Sequence, residues 1–282
     1  MDKLFIFFQH IVPHHLLSRC TGFLAGLQRP EGLKNWFIKQ FIRRYGVDMS
    51  EAAEPDHTRY ACFNEFFTRP LRDDARPLAD ADILCPADGA VSQLGDISNG
   101  LLFQAKGRFF SAEDLLGGDV QRAAQFQGGQ FATIYLSPKD YHRVHMPVSG
   151  RLTGTCYIPG QLFSVNGTTA ENVDRLFARN ERLVCYFETA SGPMAMILVG
   201  AMVVAGIETV WSGQVAPPPK TPVLTDYMNL PEPVELAKGD EMGRFMLGST
   251  VILLFPEGTM SFDDRYLAGA PTRMGEALGS YR

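Results

Sequence analysis

Absences narrow this 282-residue chain before any motif does. It has no G-x-G-x-x-G or Walker-type glycine loop, so neither a dinucleotide cradle nor a P-loop is expected, and no internal repeat points to a solenoid. A formal charge of −5 without a dense Lys/Arg stripe argues against nucleic acid as a partner. H-E-x-x-H and paired C-x-x-C motifs are missing, so no metal is expected. Five cysteines, Cys20, Cys62, Cys85, Cys156 and Cys185, are odd in number and irregularly spaced, which favours a reducing cytosolic setting over a disulfide framework. No apolar run is long enough to span a bilayer; the longest near the N-terminus is Leu4 to Phe8. Gln9, His10, Pro13, His14 and His15 interrupt that region and no A-x-A site follows, so a signal peptide is not expected either.

What is present suits a globular body. At 45% hydrophobic and 20% charged residues, the chain can bury a substantial core. Short runs rich in Val, Ile, Thr and aromatic residues predict strands over Phe131–Leu136, Gly150–Ile158, Leu183–Glu188, Met194–Ala205, Ile207–Trp211 and Val251–Phe255. Ala178–Arg182 reads as a hairpin turn, Thr168–Arg175 as a short helix and Gln214–Thr225 as a loop. The expected class is α+β: N-terminal helices followed by a largely antiparallel β body, joined through Asp48 to His57.

Three segments carry chemistry-bearing residues. Gly248-Ser249-Thr250 lies between a charged turn and the run Val251 to Phe255. It reads either as a turn opening a buried strand or as a self-cleavage site, because a serine hydroxyl can attack the carbonyl before it where glycine permits the backbone geometry. In Leu136–Pro147, Pro138 suits the first turn of a helix and Pro147 ends one. That predicts a helical turn with His142 and His145 on one face, offering a base and a donor near neutral pH, or a surface turn with no role. In Cys85–Ser92, Asp88 either caps a Pro-Ala-Asp-Gly turn or serves as a carboxylate that orients a histidine.

Taken together, Phe63-Asn-Glu-Phe-Phe-Thr-Arg69, Pro86-Ala-Asp88-Gly89, Tyr141-His142-Arg-Val-His145, Leu162-Phe-Ser-Val-Asn166 and Leu247-Gly248-Ser249-Thr250 resemble the bacterial membrane-associated phosphatidylserine decarboxylases, in the same order and over most of the chain. The resemblance implies cleavage between Gly248 and Ser249. A β chain 1–248 and an α chain 249–282 would result, the latter beginning with a pyruvoyl group made from Ser249. It implies a self-processing triad of Asp88, His145 and Ser249, with His142 serving decarboxylation through a Schiff base between the pyruvoyl group and phosphatidylserine. It also implies a complex of the two chains, extending to a dimer of such heterodimers.

Smaller readings complete the picture. Phe163, Ser164 and Asn166 either line a pocket for the phosphoserine head or form a tight turn closed by Asn166-Gly167. Arg69 offers an anion contact, whereas Phe63, Phe66 and Phe67 read as core packing. Phe5, Phe8, Val12 and Leu16 recur at helical spacing with His10, His14 and Ser18 on another side. With the lipid substrate that the resemblance implies, residues 1–60 are read as a helical region that lies on the cytoplasmic face of the membrane, peripherally, with Lys34, Lys39, Arg43 and Arg44 toward anionic headgroups. Packing on the protein's own core or on a second subunit is the other reading. Residues 61–282 form the expected catalytic domain. A rival activity is a Ser-His-Asp lipid hydrolase without self-cleavage, which lacks a G-x-S-x-G elbow at Ser249.

Overall fold

A computed structural model describes residues 9, 14–202, 206–215, 221–246 and 249–282. Its body is a nine-stranded sheet in the spatial order Val223–Asp226, Gly150–Ile158, Arg182–Thr189, Gly192–Gly200, Ser249–Phe255, Gln130–Leu136, Gly89–Asp96 and Pro271–Thr272, with Glu235–Leu236 also pairing with Gly150–Ile158. All of these pairings are antiparallel. The α+β expectation holds.

The strand Ser249–Phe255 is buried at every position, which explains why its sequence is a continuous apolar run instead of an alternation. Val251, Leu253 and Phe255 join a core with Leu183, Met196 and Leu198 on one face of the sheet. Ile252 and Leu254 join Ile197, Val199, Phe131 and Phe163 on the other. Core on both faces turns this strand into the dry spine of the molecule.

Beside the first core lies a smaller sheet ordered Gly213–Gln214, Ile207–Thr209, Glu241–Phe245 and Arg143–His145. Helices His14–Ala25 and Glu31–Tyr45 precede the body, the second ended by Gly46, whose φ of 68° suits glycine and whose N–H bonds the Ile42 carbonyl. A third core unites Ala25, Ile38, Val47 and Tyr60 with Phe63, Phe66 and Phe67 of the short helix Phe63–Phe67, drawing on residues before and after position 60.

Several local expectations need correction. His142 and His145 do not share a helical face, because Arg143–His145 is a strand. The Ser137 N–H bonds the Asp140 carboxylate at 2.7 Å, closing the Pro138 turn, and the chain then extends to pair with Glu241–Phe245. Ala178–Arg182 is no hairpin turn: Leu176–Arg179 is a helical turn and Asn180 bridges to Gln161. The expected helix occupies Gly167–Asn172, where the Asn166 carboxamide oxygen accepts the Thr169 N–H as an N-cap. The ends of the expected 214–225 loop are strands, Gly213–Gln214 and Val223–Asp226. The strand expected from Met194 is Gly192–Gly200; positions 203–205, like Leu4 to Phe8, lie outside the described residues.

The helix His14–Ala25 turns its polar side inward and its apolar side out, as a membrane-facing helix would and a core-packed one would not. His14 and Ser18 are buried while Leu16 is 61% exposed, because the Leu162 N–H donates to His14 Nδ1 and the imidazole meets the Phe163 ring edge-on. With Phe23, Leu24, Trp36 and Phe37 also exposed, this part of the chain presents apolar side chains outward.

Gly89 locks the Asp88 turn against the sheet, since a Cβ there would lie 2.2 Å from the Tyr135 carbonyl oxygen. Replacing it forces two paired strands apart. Gly89→Ala is expected to cost about 1–3 kcal/mol, read as a lower urea midpoint; a wild-type midpoint would contradict this packing.

Candidate active site

Ser249 opens the central strand, paired with Gly200 on one side and Leu136 on the other. Its side chain is fully buried, and its hydroxyl has no hydrogen-bond partner among the described residues. Such a vacancy costs about 1–3 kcal/mol, and a fold retains it where the atom has another task. Gly248, the other half of the expected scissile bond, lies outside the described residues.

His142 sits where the turn from Ser137 gives way to strand, and the Phe245 N–H bonds its carbonyl at 3.0 Å, tying it to the strand that leads toward Ser249. Its Nδ1 is 2.8 Å from the Asp140 carbonyl. A carbonyl only accepts, so the ring proton is assigned to Nδ1, and Nε2 presents a buried lone pair with no partner. The ring lies 4.0 Å from that of Phe67. Burial holds its pKa down at about 3, so the imidazole is neutral across the physiological range.

The same logic sets the tautomer of His145. Its Nδ1 donates to the Gly239 carbonyl at 2.8 Å, leaving Nε2 to accept the Tyr141 hydroxyl at 3.1 Å. Burial lowers this pKa as well. The His145 N–H bonds the Pro86 carbonyl at 2.8 Å and brings the strand beside the turn that carries Asp88.

Asp88 itself is not on either imidazole. Arg76 grips both of its oxygens at 2.5 to 3.2 Å, the Met274 N–H bonds Oδ1 at 2.9 Å, and the same guanidinium reaches Glu51 at 2.7 Å. A carbonyl therefore orients His145, and a guanidinium holds Asp88. Asp88, Tyr135, Ser137 and Tyr141 line an open cleft of about 650 Å3 together with Gly46 and Asp48.

Leu162 packs over Gly200, the register partner of Ser249, so the 162–166 segment lies at the same end of the sheet as Ser249. Its groups have structural duties. Phe163 is buried in the core on the other face, the Ser164 N–H donates to Gln9 Oε1 at 2.8 Å, and Asn166 caps a helix.

Arg76, Tyr141 and the Gly239 carbonyl are the groups that sequence reasoning missed. Tyr141 stood inside a quoted motif, but no role was read for it there. Arg76 carried a weak signal as the one cation in the stretch Asp73 to Asp82. A carbonyl carries none.

Comparison with known proteins places these residues in a family. The profile described as phosphatidylserine decarboxylase matches residues 63–280, and a second, described as PSD, matches residues 4–46. Proteins named phosphatidylserine decarboxylase proenzyme from Ectopseudomonas mendocina and Alcanivorax borkumensis are 58% and 56% identical, over 99% of this chain and 98% and 97% of theirs. The Hahella chejuensis protein of that name is 55% identical, over 99% of this chain and 94% of its own. With a profile over most of its length and relatives aligned nearly end to end, the chain belongs to the phosphatidylserine decarboxylase family.

Proposed function

We propose that this chain is a proenzyme that cuts itself between Gly248 and Ser249 and then converts phosphatidylserine to phosphatidylethanolamine. The observation that carries the proposal is the Ser249 hydroxyl, wholly buried and without a hydrogen-bond partner among the described residues, at the head of the central strand within the family-matched region.

In the cut, Ser249 Oγ attacks the Gly248 carbonyl carbon and the peptide nitrogen leaves, giving an ester. Loss of the Ser249 α-proton expels the Gly248 carboxylate and leaves a dehydroalanine, which water hydrolyses to a pyruvoyl group and ammonia. His145 is the base assigned to the hydroxyl proton. Its Nδ1–H tautomer puts the accepting lone pair on Nε2, which Tyr141 must yield first. Asp88, held by Arg76, completes the self-processing set through its charge. Intramolecular attack is favoured by effective molarities on the order of 10^5 M, so a poor nucleophile suffices for one turnover.

The position fits the group it would acquire: a pyruvoyl ketone occupies the space of the hydroxymethyl chain and gives the partnerless atom there a reaction to serve. That group supplies an electron sink for the pair left on Cα when CO2 departs. His142 remains neutral and holds its Nε2 lone pair toward a proton of the substrate, while Phe67 covers the ring and excludes water. Phe163, Ser164 and Asn166 support the substrate end through the loop they fix. The hydrolase alternative has no observation behind it, because the orienting acceptor on His145 is a carbonyl.

We assign residues 1–60 to membrane association and 61–282 to catalysis. Chains 1–248 and 249–282 then form one heterodimer, and two heterodimers pair. No helix among the described residues is long and apolar enough to cross a membrane, whereas Leu16, Phe23, Leu24 and Phe37 are exposed, which supports a peripheral position; we assign it to the cytoplasmic face.

Three outcomes test this. Ser249→Ala stays a single polypeptide in denaturing electrophoresis and traps no hydroxylamine; two fragments would end the assignment. A lowered His145 pKa keeps its neutral base form available to more acidic pH, so the precursor's cleavage rate falls on acidification only below the ordinary histidine value of 6.5; an acid limb above it would exclude His145 as base. Phe23→Ser with Phe37→Ser lowers partitioning onto anionic liposomes by about tenfold or more, by loss of apolar burial; undiminished co-sedimentation would contradict the membrane role.

A further inference from the structure

Arg69 is a buried cation with no ion-pair partner among the described residues. It follows the helix Phe63–Phe67, whose three phenylalanines anchor it in the N-terminal core, and the residue is only 3% exposed. Its guanidinium lies 5.4 Å from the Phe66 ring, its Nη2 donates to the Lys139 carbonyl at 3.3 Å, and its buried Nε has no hydrogen-bond partner among the described residues. Among the described residues, no carboxylate lies within ion-pair distance of it. The acids that act on it through space are engaged elsewhere. Asp88 and Glu51 are held by Arg76, and Asp140 accepts the Ser137 N–H while its own burial pushes its carboxyl toward the neutral form. A buried charge without its counter-charge is costly, and the fork of an arginine matches an anion with two free oxygens.

That guanidinium lines the same cleft as Asp88 and Tyr141, and its field reaches the His142 ring. We infer that Arg69 is a binding residue for the phosphodiester of the lipid headgroup, a role that rests on the decarboxylase reading of the site. The phosphodiester suits it better than the carboxylate of the same substrate. Decarboxylation discharges the carboxylate, so a strong ion pair there would stabilise the ground state more than the transition state and slow the reaction. The phosphodiester keeps its charge from substrate to product. A contact to it anchors the headgroup equally at every stage, while the carboxylate is left to the apolar surroundings of His142 and Phe67.

The test uses the full-length protein and sn-glycero-3-phosphoethanolamine, which carries the phosphodiester and no carboxylate, with free serine as the carboxylate probe. Binding is followed by 31P line broadening for the former and by ligand-observed proton NMR for the latter. Arg69→Met is expected to weaken the phosphodiester probe about tenfold and to leave serine unchanged. Unchanged phosphodiester affinity, or a loss confined to serine, overturns the assignment. Should the Met variant fail to fold, Arg69→Lys decides: it keeps the charge and loses the fork, so a loss of about threefold or more supports the proposal and wild-type affinity overturns it. Electrophoresis and hydroxylamine trapping of the wild-type protein report separately on the self-cleaving reading, since the 31P signal does not need the carbonyl.

Discussion

A hydroxyl kept out of water at the head of a strand that is itself buried on both faces is the constraint on which the rest of this molecule depends. The strand Ser249–Phe255 has core above and below and a hydrogen-bonded neighbour on each side, so its first residue cannot drift. Rigidity of that kind turns an ordinary serine into a candidate for chemistry, because orientation is supplied before any reaction begins. The imidazoles are set by the same economy of means. Each spends its Nδ1 proton on a backbone carbonyl, Asp140 for His142 and Gly239 for His145, so each is left with one accepting nitrogen.

The two histidines differ in what faces that nitrogen. His142 offers a lone pair that meets no donor among the described residues, beside the ring of Phe67. His145 offers one already occupied by the Tyr141 hydroxyl. This asymmetry is consistent with separate duties, one imidazole serving a proton that arrives with a substrate and the other serving a proton of the chain. Asp88 is clamped by Arg76 and by the Met274 amide, so its carboxylate is fixed in place without touching either ring.

Much of this was legible in the sequence, for identifiable reasons. Gly150–Ile158 and the strands around Gln130–Leu136 and Ser249–Phe255 could be read because β-branched and apolar runs are long and turn-bounded there. The short strand Arg143–His145 was mistaken for helix because two prolines framed it, and proline marks turns as readily as helix starts. What closed that turn was a side chain, the Asp140 carboxylate, which periodicity does not register. The two faces of the helix His14–Ala25 were separable by spacing, but the partner of its buried side was not, since a histidine that accepts a buried amide proton counts only as polar in any pattern. The partners of Asp88 and His145 were invisible for a related reason: a guanidinium, a phenol and a carbonyl come together only once the sheets are assembled.

The location of the cut within the fold has one more implication. Residues 249–282 supply the middle rib of the large sheet, an edge strand at Pro271–Thr272 and the amide at Met274 that braces Asp88. Severing the backbone before residue 249 therefore frees nothing. The short piece stays woven between Gly192–Gly200 and Gln130–Leu136, and maturation changes the chain's covalent connectivity while leaving its architecture as a single interlocked body.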